Sequence, residues 1–306
     1  MPSPIALFVY HRKDMTRQTV DALIKNKQAD QSDLFVFSDG PRSEESVEPV
    51  LRVREYVRSI AGFRSVTIVE SPVNKGLARS IIEGVSTVLR DHDTVIVLED
   101  DMITSRHFLR YMNEGLDMYK EDDRVISIHG YVYPLRQSLP QSFFLRGADC
   151  WGWGTWKRGW ALFESDGVRL LDELVRCRLT QDFDYNGSYP FTQMLRDQIR
   201  GVNDSWAIRW QAAAFLKNKL TLYPGKSFVR NIGFDSSGTH SGVTDVYDGD
   251  LQLEDHPLQR IDIEELAEAR RSFESYFRSI QPSLLGRIKQ KLFSRKGFTR
   301  MKRPRD

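Results

Sequence analysis

Cysteine is almost absent, with only Cys150 and Cys177 in 306 residues. Two thiols exclude a disulfide framework, and with no second Cys/His cluster near either one they exclude a zinc site. A reducing, cytosolic setting is expected. No apolar run approaches the roughly 18 residues of a membrane span, and the opening stretch from Ile5 to Tyr10 is too short, and its start too uncharged, for a signal peptide. Glycine-rich phosphate loops are missing too. Gly152-Trp153-Gly154-Thr155-Trp156-Lys157 lacks the third glycine of a dinucleotide fingerprint, and before Gly225-Lys226-Ser227 Leu220 stands where a P-loop has its first glycine. Neither a dehydrogenase nor an ATPase is expected. An excess of one charge is lacking only on average: 44 Lys+Arg against 42 Asp+Glu give +2. Residues 281–306 hold nine basic residues and one acid, +8, which leaves −6 on the first 280. An acidic body carries a basic tail, and no nucleic-acid partner is expected.

Short apolar runs alternating with helical periodicity through residue 130 predict an α/β fold with a mainly parallel sheet. Strands are expected at Ile5–Tyr10, Leu34–Phe37, Ser65–Val69, Thr94–Leu98 and Val125–Ile128. Helices are expected over Thr16–Asn26, after a cap at Asn74 (Leu77, Ile81, Val85, Val88), and along Phe108, Met112, Leu116 and Tyr119. Thr94–Leu98 is wholly apolar and so predicts a central strand. Beyond residue 130 all six tryptophans fall between Trp151 and Trp210. Further on, Phe191–Ile199 and Trp206–Asn218 read as helices and Leu220–Pro224 as a strand. A Gly/Ser/Thr-rich loop runs to His240. The expected organisation is a catalytic domain over 1–245 (a nucleotide-binding half, 1–130, and an acceptor and donor-loop half, 131–245), a linker over 246–261, an amphipathic helix over 262–280 and the basic tail over 281–306.

The sharpest chemical feature is Glu99-Asp100-Asp101, three adjacent carboxylates at the end of the central strand, where open α/β sheets place their ligands. Their mutual repulsion is relieved by a bound cation, and one or two such carboxylates suffice for Mg²⁺ or Mn²⁺ when phosphate oxygens and waters complete the shell. A solvated acidic turn at a helix start is the plain alternative. Asp39, in Ser38-Asp39-Gly40-Pro41, is either a turn residue or an acceptor for a base imide N–H. Arg12 is either a surface charge or a nucleotide ligand.

Taken in order, Tyr10-His11-Arg12 after strand one, Asp39 after strand two, Asn74-Lys75-Gly76-Leu77-Ala78-Arg79 and then Glu99-Asp100-Asp101 resemble the GT-A glycosyltransferases. The succession is similar to the N-acetylglucosaminyltransferase I family, which has a Glu-Asp-Asp triplet and a late Gly/Ser/His loop. Cys150-Trp151-Gly152-Trp153-Gly154-Thr155-Trp156 and Asn231-Ile232-Gly233-Phe234 resemble bacterial surface-polysaccharide glycosyltransferases. The resemblance covers roughly residues 4–242. It implies a GT-A mixed sheet flanked by helices with a C-terminal helical and basic extension, and transfer of a hexosyl or N-acetylhexosaminyl group from a nucleotide-sugar, expected to be a UDP-sugar. It implies that Asp101 ligates Mn²⁺ (or Mg²⁺), that Asp100 lies near the ribose, Glu99 near the transferred sugar and Asp39 near uracil, and that Tyr10, Arg12, Lys75, Gly76 and Arg79 help to bind the donor. It implies inversion by a single displacement.

A base must take the acceptor hydroxyl's proton. Asp204, in Asn203-Asp204-Ser205-Trp206, is the candidate; aligned on Trp206, the family's base falls on Ser205 and Asp204 stands one residue earlier. An N-cap is its structural alternative, and Asp149 and Asp184 are held in reserve. The loop from Gly233 to His240 has glycines for movement and donors for a diphosphate, with His240 able to bind phosphate or metal. Trp151 and Trp153 are candidate sugar-stacking faces, with core packing as the alternative. In the tail, Leu285, Ile288 and Leu292 interleave with basic residues, which suits an anionic membrane surface, and hence a glycan or lipid-linked glycan acceptor at the inner face of a membrane. The alternatives are a nucleotidyltransferase making nucleotide-sugars, disfavoured because Tyr10-His11-Arg12-Lys13 has no glycine-rich loop, and a catalytically inactive carbohydrate-binding relative.

Overall fold

A computed structural model describes residues 1–234, 245–255 and 257–281. Four parallel strands come first: β1 (Ile5–Val9), β2 (Asp33–Ser38), β3 (Ser65–Glu70) and β4 (Thr94–Glu99). Helices α1 (Lys13–Ile24), α2 (Glu44–Val57) and α3 (Leu77–Asp91) make the crossovers that parallel strands require. All of β1 and Val95–Leu98 of β4 are buried, as in strands covered on both faces. In space the order is β3-β2-β1-β4. The chain therefore steps outward from β1 to β3 and returns to the far side of β1 for β4. That reversal opens a crevice beyond the carboxyl ends of β1 and β4, the ligand position of open α/β sheets.

The chain continues through β5 (Met102–Thr104), α4 (Phe108–Met118), β6 (Val125–His129), β7 (Ser142–Arg146), β8 (Trp153–Trp156) and the short α5 (Lys157–Trp160). Helices α6 (Gly167–Arg176), α7 (Thr180–Phe183), α8 (Phe191–Ile199) and α9 (Trp206–Leu216) follow, then β9 (Leu220–Pro224), β10 (Val229–Asn231) and α10 (Ala267–Ile280). The sheet extends as β8-β6-β9-β7 to eight strands, with β8 antiparallel to both β4 and β6. β10 pairs antiparallel with β5, immediately after the acidic triplet. This is the mixed sheet flanked by helices that the resemblance implies, where the patterning of the first 130 residues predicts a mainly parallel one.

Three local expectations change. Asn74 is not the cap of α3; Gly76 takes that place, at φ 77°, in the left-handed region open to glycine. The motif at Trp153–Trp156 is a strand in the middle of the sheet. The helix expected from 262 begins at Ala267. The basic tail beyond Gln281 and His240 lie outside the described residues, among which no helix is long and apolar enough to cross a membrane.

Candidate active site

The acidic triplet sits at the reversal point. Glu99 ends β4 opposite Phe8 of β1. The Thr19 hydroxyl of α1 donates to the Asp100 backbone oxygen at 2.8 Å, and Ile232 N–H donates to that of Asp101 at 2.9 Å. Arg12, just past β1, places one guanidinium nitrogen, Nη2, between Asp100 Oδ1 and Asp101 Oδ2, the latter at 2.8 Å. Burial opposes the Arg12 charge, but Asp100 and Asp101 outweigh it and raise the Arg12 pKa. Burial first, then the charges of Asp101 and Asp100, push the Glu99 carboxyl up to about 8. Asp100 rises to about 6 through burial and Asp101, with Arg12 pulling the other way. Three acids thus face one internal cation.

Among the described residues, Asp100 Oδ2 and Asp101 Oδ1 are buried and have no hydrogen-bond partner. Two bare anionic oxygens at a ligand crevice suit a hard divalent cation, which accepts two protein carboxylates and takes its other ligands from phosphate and water. Among the described residues no three His, Cys, Asp or Glu side chains converge to cage a metal without such help. Gly233 packs against the triplet: a Cβ there would lie 2.3 Å from Asp101 Oδ2, the oxygen that Arg12 holds, so a larger residue would have to push the carboxylate aside. Thr19, which docks α1 to the triplet, carries no signal in the sequence; it looks like any helical threonine.

Asp39 is a different case. Its Oδ1 accepts from Gly40 N–H (2.8 Å) and Lys75 N–H (2.8 Å), and its Oδ2 from Asn74 Nδ2 (3.0 Å) and Gly76 N–H (2.9 Å). Four donors fill the four acceptor positions of a carboxylate, so a base imide is accepted only by displacing one of them. Asp39 fastens the loop before α3 to the end of β2. Lys75 and Arg79 both pair with Glu83, at 2.7 and 2.6 Å. The Tyr10 hydroxyl receives Arg42 N–H at 3.1 Å, and its ring lies 4.4 Å from that of His11.

On the other side of the crevice, Ser205 and not Asp204 is the N-cap of α9, accepting Ile208 N–H at 3.2 Å. Asp204 is 71% exposed and paired with Arg209 at 3.1 Å. Its neighbour Trp206 stacks on Trp153, which lies opposite Val97 near the end of β4, so α9 starts on the ligand side of the sheet. Trp153 itself is 1% exposed among Trp160, Trp206 and Trp210. That corrects its reading as a sugar-stacking face: it is core. Trp151, two residues earlier, is half-buried. Asp184 accepts Thr192 N–H at 2.6 Å and serves the turn into α8. Asp149 is half-buried beside Cys150, a thiol raised by burial and by the charges of Asp149, Glu99 and Asp101. A cavity of about 1000 Å³ lies elsewhere, lined by Met1, Ser3, Asp93, Thr94, Trp156 and Lys157 at the amino ends of β1 and β4. It is at the wrong edge of the sheet for a ligand of this fold class.

The model of the family described as Glycosyl transferase family 2 matches residues 5–167. No curated protein matches the chain. Among solved structures, a mannosyltransferase from Pyrobaculum calidifontis in complex with GDP-Man and Mn²⁺ is similar at 17% identity, covering 44% of this chain and 38% of its own, with a TM-score of 0.29. S. aureus TarS 1–349 in complex with UDP is similar at 12% identity, covering 53% and 48%, with a TM-score of 0.37. The chain thus spans less than half the length of these two structures.

Proposed function

The chain belongs to glycosyl transferase family 2 and has the GT-A fold, and from that premise we propose that it moves a hexosyl or N-acetylhexosaminyl group from a UDP-sugar to a glycan or lipid-linked glycan hydroxyl, with a divalent cation at Asp101. One observation carries the metal side of this reading: the unpartnered buried oxygens Asp100 Oδ2 and Asp101 Oδ1 at the reversal of the sheet.

In this reading Asp101 and Asp100 hold the cation, which when bound supplies charge stabilisation for the departing diphosphate. Arg12 neutralises part of the carboxylate charge before the donor arrives and offers its guanidinium to the phosphates after. Glu99, at the end of β4 beside Asp100, hydrogen-bonds a hydroxyl of the transferred sugar. The Asp39 clamp fixes Asn74–Gly76, so that the α3 N-terminus lies beside the nucleotide. Asp204 takes the acceptor's proton as its oxygen attacks the anomeric carbon; the bond from that carbon to the phosphate oxygen breaks with its electron pair on the diphosphate, and the configuration inverts. For Asp204 to serve, Arg209 must release it.

A thermal-shift panel of nucleotides tests the donor. UDP with Mn²⁺ is expected to raise Tm and EDTA to abolish the rise; equal stabilisation by UDP in EDTA overturns the metal assignment, and a preference for GDP overturns the nucleotide. The basic tail at 281–306 is proposed to hold the enzyme at an anionic membrane during surface-polysaccharide synthesis, and equal liposome binding by the full chain and by residues 1–280 would sink that part.

A further inference from the structure

We propose that Asp149, Trp151 and Tyr247 form a saccharide subsite on the acceptor side of the crevice, separate from every residue assigned to the donor. The glycosyl-transfer reading supplies the word acceptor; the subsite itself rests on the geometry of the loop before β8.

Its position follows from a short chain of contacts. Gly233 packs against Asp101, and the next residue, Phe234, places its ring 5.5 Å from Trp151 and 4.9 Å from Tyr247. Trp151 and Tyr247 meet edge to face at 5.5 Å. An aromatic group thus begins one residue from the Asp101 contact. The Trp151 backbone N–H donates to His129 Nε2 at 3.0 Å, which fixes the loop to the end of β6. The segment carrying Tyr247 is strapped from beneath, since the Tyr131 hydroxyl donates to the Tyr247 backbone oxygen at 2.8 Å and the Tyr276 hydroxyl to that of Val246 at 2.6 Å. Trp151, Phe234, Tyr247 and Asp149 are all half-buried, whereas Trp153 on the same motif is fully enclosed.

Asp149 gives the group its chemistry. One of its oxygens accepts the adjacent Cys150 N–H at 2.8 Å, and the other lies 3.5 Å from the Tyr223 hydroxyl, a long contact. Among the described residues no Lys, Arg or His lies within ion-pairing distance of it. A partly desolvated carboxylate without a counter-ion needs hydrogen-bond donors. Its charge reaches the hydroxyls of Tyr131, Tyr133, Tyr189 and Tyr223, whose pKa values burial and then, among nearby groups, Asp149 push up. Those phenols stay neutral. A sugar ring brings what is missing: an apolar C–H face for the aromatic rings and neighbouring hydroxyls for the carboxylate. A nucleotide suits the place badly, because Asp149 repels its phosphates.

The test uses the full chain saturated with UDP and Mn²⁺, with binding of a panel of methyl hexosides and methyl N-acetylhexosaminides followed by saturation-transfer NMR. At least one glycoside is expected to bind. Asp149→Asn and Tyr247→Leu should each weaken it roughly tenfold, the size of one lost charge-assisted hydrogen bond or ring face, while affinity for UDP and Mn²⁺ stays within about twofold. Asp149→Asn keeps the shape of the side chain, and the Tyr247 backbone oxygen that Tyr131 holds is untouched by Tyr247→Leu, so the two variants guard against loss of fold in either. No glycoside binding by the wild type, unchanged binding in both variants, or an equal fall in UDP affinity overturns the subsite. Failure of the metal-bound UDP donor reading looks different: UDP binding by the wild type is absent or does not need Mn²⁺, whatever the glycosides do.

Discussion

At the end of β2 one carboxylate, Asp39, gathers four N–H donors on two oxygens, whereas at the end of β4 two carboxylates, Asp100 and Asp101, share one guanidinium nitrogen and leave an oxygen each bare. Both places follow a strand of the same parallel sheet, and both are acidic residues in tight turns. The difference is in who supplies the positive partner. Asp39 is satisfied by backbone and an amide from its own loop, so removing it damages the fold. Asp100 and Asp101 are satisfied only in part by Arg12, so removing one of them damages what the crevice binds. A buried acid reads as structural when the chain completes its hydrogen bonds and as functional when it does not.

The widest gap between the two should appear with Asp101→Asn. Mn²⁺-dependent UDP affinity, measured by calorimetry, is expected to fall by roughly a hundredfold or more, since a cation's contribution to such sites is several kcal/mol. Unchanged affinity would move the metal elsewhere. Asp39→Ala should do the reverse. Stranding four donors is expected to cost roughly 2–4 kcal/mol and lower Tm by about 5 °C or more, with the Mn²⁺ requirement kept. A Tm within a degree of wild type would show that water replaces the carboxylate there.

The contrast explains what could be read from sequence. The parallel half was legible because fully buried strands such as Val95–Leu98 are unbroken apolar runs and because α3 keeps strict helical spacing. Helix α2 was not, since Pro49 lies inside it; the helix forms all the same because Ser43 and Ser46 build a capping box and Val50, Val53 and Val57 face the core. Strand β8 was missed because Trp153-Gly154-Thr155-Trp156 looks like a ligand motif, yet Gly154 lets β8 pass under Met112 and Leu116 of α4 and Trp153 fills the core between β8 and α9. At the site, the triplet and Arg12 stood out as charges near strand ends. That Asp39 would be saturated did not, because hydrogen-bond completion depends on a loop thirty-odd residues away. Nor did the fact that Asp149 has no counter-ion among the described residues, which depends on how β6, β8 and the segment at Tyr247 converge.

The acidic triplet also links stability to pH. The folded chain holds the Glu99 proton with a pKa of about 8 instead of 4.5, and the Asp100 proton with about 6 instead of 3.8. The folded state therefore binds more protons than the unfolded one between about pH 4 and 8, and stability from these groups, fully present below that window, is lost as pH rises through it. The metal-free chain should lose about 5 °C or more in Tm between pH 6 and pH 8, the equivalent of roughly 2–3 kcal/mol. Glu99→Gln should flatten the slope, and saturating Mn²⁺ should oppose it. A slope that the variant leaves intact would place its origin in other groups.

The smallest effect separates capping from chemistry on the acceptor side. Ser205 supplies the helix cap of α9 through its hydroxyl, and Asp204, one residue before, points outward to Arg209. Ser205→Ala should cost about 0.5–1 kcal/mol, as loss of a cap does, and leave turnover within about twofold. Asp204→Asn, at an exposed position, should change stability by no more than about 0.5 kcal/mol while donor binding persists and transfer stops. If instead Ser205→Ala is the variant that stops transfer, Ser205 positions the acceptor, and because a neutral hydroxyl cannot keep the acceptor's proton a carboxylate must still take it. If neither variant slows transfer, the proton goes to another carboxylate, and Asp149, which has no ion-pair partner among the described residues, is the next to replace.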